Sequence, residues 1–383
     1  MLTGVHRNPR QEEVTYGLAA AGEVRRLADS YGARRLLITT TASLVGPGGL
    51  AEKFAAGLGP LAVGTFFAIS AHSPRTGVIA GAAEARRLGA DLLVALGGGS
   101  VTDATKVMQL ALWAGIETAE DLDRVRGGAP GAAALTPGVR MVAVPTALSA
   151  AEFTPFAGVT DTGKARKEGF AHRDLAPRAV ILDPAMTVAT PERLWLSTGM
   201  KAVDHAVEQL CNPVRTPYAD ALAEAGLKAL AAALPASRAA PSDLDERQAC
   251  QIGAWLAMSG AMAGRGLGAS HAIGHTLGGS FGAPHGITSC IALPAVLRWN
   301  AGVNAERQGL VAALMGRPGV GAAEAVEGLA RDLGLPTRLS EIGIGPDRFA
   351  EVAEITMHDR GVRSNPRPIS GPADVVEILK LAA

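Results

Sequence analysis

The sequence predicts an α/β half followed by an all-helical half, and three observations carry that expectation. Short, continuously apolar runs alternate with helical ones up to about residue 183. From Pro191 onward the periodicity is almost wholly helical. The change of texture falls just after Asp183-Pro184. Strands that are apolar throughout, each followed by a helix, are what a parallel sheet covered on both faces needs. The expected domains are 1–187, with the parallel sheet, and 188–383, all helical. A chain of 383 residues has room for both.

The elements follow in order. Leu36-Leu37-Ile38-Thr39-Thr40-Thr41 is rich in β-branched and aliphatic residues and reads as a strand. Thr76 to Leu88 is a helix with small residues on one face. Asp91 to Leu96 is a strand, apolar after its first residue. Gly97-Gly98-Gly99-Ser100 then turns the chain into a helix over Thr102–Gly115. Gly127 to Gly138, rich in Gly, Ala and Pro, reads as a loop. Met141–Val144 and Ala179–Leu182 are further strands. The helical half resolves into 191–211, 217–235, 241–264, 269–281, 288–300, 304–315, 320–333 and 346–359, with Pro235, Pro241, Pro294 and Pro336 as punctuation. No internal repeat is visible.

Composition narrows the function. The formal net charge is zero, which gives no general attraction to nucleic acid or to anionic lipid. Cys211, Cys250 and Cys290 are far apart and fit no zinc spacing, so they read as buried reduced thiols of a cytoplasmic protein. The segment MLTGVHRNPRQEEV has no apolar core of a signal peptide, and no stretch reaches the ~20 apolar residues of a membrane span. The expectation is a soluble cytoplasmic protein acting on a small molecule.

A strand that ends in Gly97-Gly98-Gly99-Ser100 and opens a helix is a phosphate cradle by geometry. Glycines let an anion approach the backbone, and the helix start presents bare N–H groups. Ser100 and Asp103 have the spacing of a capping box, with Asp in place of Glu. The pattern is not GxGxxG, so an ordinary dinucleotide fingerprint is not implied. Thr39, Thr40 and Thr41 stand where a ribose-binding acid would repel a 2′-phosphate, which leaves both NAD and NADP open.

Two helical segments hold the remaining chemistry. Lys201 and His205 lie four apart on one, and His271 and His275 four apart on the other, with His285 ten residues on. Residues four apart share a helix face. Three imidazoles suit a divalent metal, but an ammonium among them repels one. Asp204 points about 100° away from its neighbour His205 round the helix, so it is not expected to replace the missing acid. Arg367, between two prolines, suits a substrate carboxylate or an ion pair near the C-terminus. Arg173, Lys164 and Lys167 suit either phosphate or solvent.

Taken together, GGGSxxDxxK, the VPT segment followed by an acid and Thr154, Asp183-Pro184, and HxxxHxLGGxFxxPHG resemble the iron-containing, or group III, alcohol dehydrogenases, from about Leu36 to the C-terminus. Pro145 to Thr154, Arg178 to Pro184, Asn212-Pro213, His275 to Phe281 and Asn365-Pro-Arg-Pro368 are most similar to the maleylacetate reductase branch. The resemblance implies a Rossmann-like N-terminal domain and a helical C-terminal domain (the dehydroquinate synthase-like fold), with cofactor and substrate in the cleft. It also implies a homodimer and reduction by NAD(P)H of the carbon–carbon double bond of a 4-oxo-hexenedioate.

Residue by residue, the ligand positions of metal-using relatives fall at Lys201, His205, His271 and His285. His275 matches a histidine beside the nicotinamide with a proton-relay role. Gly97, Gly98, Gly99 and Ser100 match the pyrophosphate turn, and Asp103, Thr146, Thr154 and Lys164 match or lie near cofactor-lining positions. Three departures stand out. Lys201 replaces the ligand acid, Leu148 a motif tyrosine, and Ala151 a serine. The expectation is therefore a reductase of an unsaturated or oxo-carboxylic acid that uses no metal. Lys201 supplies the positive charge, and iron or zinc is expected only if that substitution does not act so. Two alternatives remain at this stage: an alcohol dehydrogenase on a small or secondary-metabolite carbonyl, and a non-redox lyase, cyclase or isomerase on the same fold.

Overall fold

The computed structural model describes His6 and residues 8–383, apart from positions 165 and 265 and the side chain of His285. It divides into two compact units, Asn8–Thr190 and Pro191–Ala383, the latter taking in His6.

The first unit is built on eight strands: β1 Glu13–Tyr16, β2 Leu36–Thr39, β3 Ala62–Phe66, β4 Leu92–Gly97, β5 Arg140–Pro145, β6 Phe156–Asp161, β7 Arg166–Ala171 and β8 Ala179–Leu182. Six form one sheet in the order β1-β8-β5-β4-β2-β3, parallel throughout. β6 and β7 make a separate antiparallel hairpin. The helices are α1 Ala20–Tyr31, α2 Leu50–Leu58, α3 Arg75–Arg87, α4 Gly99–Trp113 and the single turn α5 Pro130–Ala133. Successive strand residues face opposite layers. Leu36, Ile38, Leu92, Val94 and Leu96 pack with Val24, Leu27 and Phe54 of α1 and α2. From the other face, the Thr39 hydroxyl reaches that of Thr105 on α4 at 2.6 Å.

The sequence missed α1, α2, β1, β3 and the β6–β7 hairpin. One reason is visible at α1. Its N-cap, Ala19, has no capping side chain, and the N–H of Ala20 donates instead to Asp183 at the end of β8, 2.8 Å away. A cap supplied from 163 residues along the chain leaves no local signal. Two further expectations are corrected. The strand expected to reach residue 41 ends at Thr39, because Thr40 turns its hydroxyl to the Leu96 carbonyl. The expected Ser100–Asp103 capping box does not form: α4 already starts at Gly99, and the Asp103 carboxylate accepts the N–H of Gly158 on β6.

The second unit is helical: α6 Glu192–Cys211, α7 Pro217–Ala239, α8 Leu244–Ala263, α9 Ala269–Phe281, α10 His285–Leu314, α11 Ala322–Asp332, α12 Phe349–Thr356 and α13 Pro372–Lys380. Pro235 and Pro294 lie inside α7 and α10, so they do not punctuate. A proline costs about 3 kcal/mol inside a helix, and the burial of the surrounding faces outweighs it. The two helices expected at 288–300 and 304–315 are both present, and they meet end to end at Asn304, whose φ of −141° and ψ of 33° are not helical. No helix among the described residues is long and apolar enough to cross a membrane.

Candidate active site

In the first unit the site grows out of the end of β4. Gly97 has φ of +158°, and a Cβ there would lie 2.6 Å from Val101. A Cβ on Gly99 would meet the Ser149 hydroxyl at 2.9 Å. Side chains are thus excluded from the turn, and the bare N–H groups of the first turn of α4 remain available to an anion. The Ser149 hydroxyl is buried and has no hydrogen-bond partner among the described residues. Ser100 is held from the side: its Oγ accepts the His72 N–H, and its carbonyl accepts the Ser73 hydroxyl.

The other expected cofactor residues are placed as follows. Thr146 donates its N–H to the Gly97 carbonyl at 3.1 Å, so the end of β5 lies beside the turn. Thr154 is fixed by Lys106, whose ammonium donates to the carbonyls of Ala151, Thr154 and Phe156 at 2.6, 2.8 and 2.7 Å and to the Thr154 hydroxyl at 3.1 Å. Burial pushes the Lys106 pKa down to about 8, against the opposing charges of Asp103 and Glu152. Lys164 stands at the turn of the β6–β7 hairpin with its ammonium on Asp161 at 3.0 Å and 3.8 Å from Asp123. Asp103 ties α4 to β6, as described above.

In the second unit, α6 and α9 bring the expected residues together. The rings of His205 and His271 stack with centroids 4.8 Å apart, and His271 meets His275 edge-on at 6.2 Å. Lys201, one turn before His205, is half-buried, and its charge bears on both His205 and His271. Burial holds the His205 pKa far below its ordinary value, and the neighbouring His271 ring and Lys201 ammonium add to this. Burial likewise pushes His271 down to about 4, although Asp204 opposes it. His285 opens α10, and its side chain lies outside the described residues. Gly286, next to it, packs on α6 so closely that a Cβ would fall 2.5 Å from the Ser197 carbonyl.

Sequence reasoning missed Glu208 and undervalued Asp204. Both are buried on α6, one turn apart. Glu208 accepts the N–H groups of Gly268 and Ser270 at 2.7 and 2.8 Å, which caps α9, and its Oε2 lies 2.8 Å from His271 Nδ1. Asp204 accepts the Ser270 hydroxyl at 2.8 Å and lies 3.5 Å from the same Nδ1. Burial pushes both carboxyls up to about 7; for Asp204 the charge of Glu208 adds to this, and for Glu208 the backbone N–H groups oppose it. The ligand atoms of Asp204, Glu208 and His271 fall within 4.8 Å of one another, close enough for a cation. Three of their four carboxylate oxygens already accept hydrogen bonds, however, so the trio acts as an orienting shell for His271. From sequence, the signal for this trio is the i,i+4 spacing of Asp204 and Glu208, which puts both on one face of α6.

His275 is the exposed member of the set, with 46% of its side chain open. Its Nδ1 lies 2.8 Å from Oδ2 of Asp359, a second residue the sequence did not flag. Arg367 does not appear as a partner of this group. Its guanidinium stacks over Trp299 at 3.5 Å, and Asn300 and Asn365 brace its backbone through a reciprocal amide pair. Among the described residues Arg367 makes no ion pair; its guanidinium donates to the Trp299 carbonyl at 3.3 Å instead.

The chain as a whole resembles known proteins. Residues 11–184 match the family model for iron-containing alcohol dehydrogenase, and residues 195–383 match the model for the C-terminal part of that family. The chain belongs to the iron-containing alcohol dehydrogenase family. It falls in the maleylacetate reductase branch and is an oxidoreductase. Maleylacetate reductase of Burkholderia cepacia is 32% identical over 372 residues, covering 97% of this chain and 95% of that protein. Maleylacetate reductase 2 of Cupriavidus pinatubonensis is 34% identical, covering 96% and 94%. The crystal structure of maleylacetate reductase from Agrobacterium tumefaciens superposes with a TM-score of 0.83 at 28% identity, covering 100% of this chain and 98% of that one.

Proposed function

We propose that this chain is an NAD(P)H-dependent reductase of the maleylacetate type, acting on an unsaturated or oxo-carboxylic acid without a metal. Residues 8–190 hold the cofactor, residues 191–383 carry the catalytic side chains, and the protein works as a cytoplasmic homodimer. The observation that carries the reading is the place of Lys201, where its charge bears on two stacked imidazoles.

The glycine turn fits a dinucleotide. Gly97 and Gly99 sit where a Cβ would collide, and their neighbours leave backbone N–H groups for a pyrophosphate. When bound, the nicotinamide supplies a hydride. The donor set does not fit a divalent cation. The position that gives a ligand acid in metal-using relatives is an ammonium here, and the nearest carboxylates, Asp204 and Glu208, already accept protein donors. In an enone substrate, hydride addition at the β carbon leaves negative charge on the ketone oxygen. Lys201 holds a cation for that charge, the task a metal would otherwise perform. His275, on the exposed side of the set, delivers the proton to the carbon next to the ketone. Enone, NAD(P)H and one proton give saturated ketone and NAD(P)⁺.

Metal analysis of protein purified without chelator tests the first element; stoichiometric iron or zinc sinks it. Lys201→Met keeps the length of the side chain and removes the charge. It should lower kcat by a factor on the order of 10²–10³ while the fold survives. NAD(P)H oxidation with maleylacetate, set against simple aldehydes, tests the substrate class. Product formed without net NAD(P)H consumption would replace the reading with a non-redox one.

A further inference from the structure

We propose that Asp359 is the positioning residue of the proton donor: it fixes Nδ1–H of His275 and holds that ring ready to give a proton from Nε2. The inference rests on the assignment of His275 as the proton donor.

The geometry separates this task from an ordinary turn cap. One oxygen of Asp359, Oδ1, accepts the N–H of Gly361 at 2.8 Å and caps the single-turn helix Arg360–Ser364. The other, Oδ2, is spent on His275 Nδ1. The turn is itself fastened to the start of α9. Ser364 donates its hydroxyl to the Leu267 carbonyl at 2.8 Å, and Gly361 packs so tightly that a Cβ would lie 2.6 Å from the Gly268 carbonyl. The carboxylate is therefore rigid relative to the helix that carries His275.

A second histidine–carboxylate pair on the same helix shows what the surroundings decide. His271 with Glu208 is shut in, its side chain 3% exposed, and burial favours the uncharged ring. His275 and Asp359 are 46% and 28% exposed, so this pair stands open to water, from which a spent proton can be renewed. Asp359 answers in kind: burial works against its charged form, yet the hydrogen bond and charge of His275 win and hold its pKa below the ordinary value. The N–H bond at Nε2 breaks, the proton passes to the substrate carbon, and the ring is left neutral with Nδ1–H still on Asp359. Solvent then returns a proton to Nε2.

Asp359→Asn discriminates between the two tasks. The amide has one acceptor oxygen, and Gly361 takes it, so the cap survives. Its NH₂ then faces Nδ1 and forces the ring into the tautomer that cannot carry two protons. Turnover should fall on the order of 10²-fold, with KM for the cofactor and the melting temperature near wild type. The solvent deuterium isotope effect on kcat should rise, and the isotope effect from 4-deuterated cofactor should shrink, since proton delivery becomes limiting. Wild-type kcat with an unchanged solvent isotope effect in Asp359→Asn, beside a collapsed His275→Gln, overturns the role of Asp359 alone. Full turnover by His275→Gln removes the underlying assignment and this inference together. Should the variant fail to fold, ¹⁵N shifts of the His275 ring in wild type decide. Nδ1 protonated at neutral pH supports the proposal, and a neutral ring protonated only on Nε2 overturns it.

Discussion

Lys106 shows how one buried charge shapes the first unit. Its ammonium has three protons and is surrounded by the carbonyls of Ala151, Thr154 and Phe156 and the Thr154 hydroxyl. It thereby folds the segment after β5 into place and leads it into β6. Lys106→Met would keep the bulk and strip the donors, leaving buried carbonyls unpaired. Such a loss costs about 3 kcal/mol or more, and urea unfolding followed by circular dichroism should show it. Glu208 is a similar case in the second unit. Both its oxygens accept backbone N–H groups, so the amide of Glu208→Gln must turn an NH₂ against one of them. We expect a loss of about 2 kcal/mol by the same measurement, and a variant as stable as wild type would contradict the cap assigned to Glu208.

At the scale of elements, close approach between helices depends on glycines whose reason appears only in three dimensions. On Gly260 of α8, a Cβ would lie 2.9 Å from the Ala223 N of α7; on Gly226 of α7, it would lie 2.6 Å from the Ala257 N of α8. Gly260→Ala should cost about 1–3 kcal/mol through overpacking, read as a lower urea midpoint with unchanged helical content. Gly286→Ala is the informative companion, because it pushes the first turn of α10 off Ser197, one turn before Lys201. It should lose turnover at temperatures where it remains folded, whereas Gly260→Ala should not. Helices α3, α4 and α6 to α12 were legible because their apolar spacing is local, whereas α1, α2, α5 and α13 were not expected. The strands β4, β5 and β8 were legible because they are buried on both faces and apolar throughout. β1 and the β6–β7 hairpin mix charged residues and glycine into short runs, and α1 takes its cap from Asp183, 163 residues along the chain. Nothing within a dozen residues announces either.

For the whole molecule, the same distinction runs through the site. Lys201, His205, His271 and His275 were readable from four-residue spacing, whereas Asp359 reaches His275 from 84 positions away. The Asp204–Glu208–His271 trio, half readable, also makes stability depend on pH. An unfolded aspartate or glutamate titrates near 4, while Asp204 and Glu208 are pushed up to about 7. Over the interval between, the folded chain binds more protons than the unfolded one. Their contribution is complete below about pH 4 and is lost as pH rises through about 7, at up to ~1.4 kcal/mol per pH unit for each group. His271 has the opposite sign. Its folded value is pushed down to about 4, so its contribution is present above the ordinary histidine range and is lost as pH falls through about 4. The two trends oppose each other in mildly acidic buffer, which masks both in wild type alone. Asp204→Asn unmasks one, because asparagine still accepts the Ser270 hydroxyl but cannot titrate. The melting temperature of the variant minus that of wild type should climb steadily from about pH 5 to about pH 7.5 and level off above. A difference that stays flat across that interval would mean that Asp204 is ionised throughout, and that the interior around His271 is far more polar than its burial indicates.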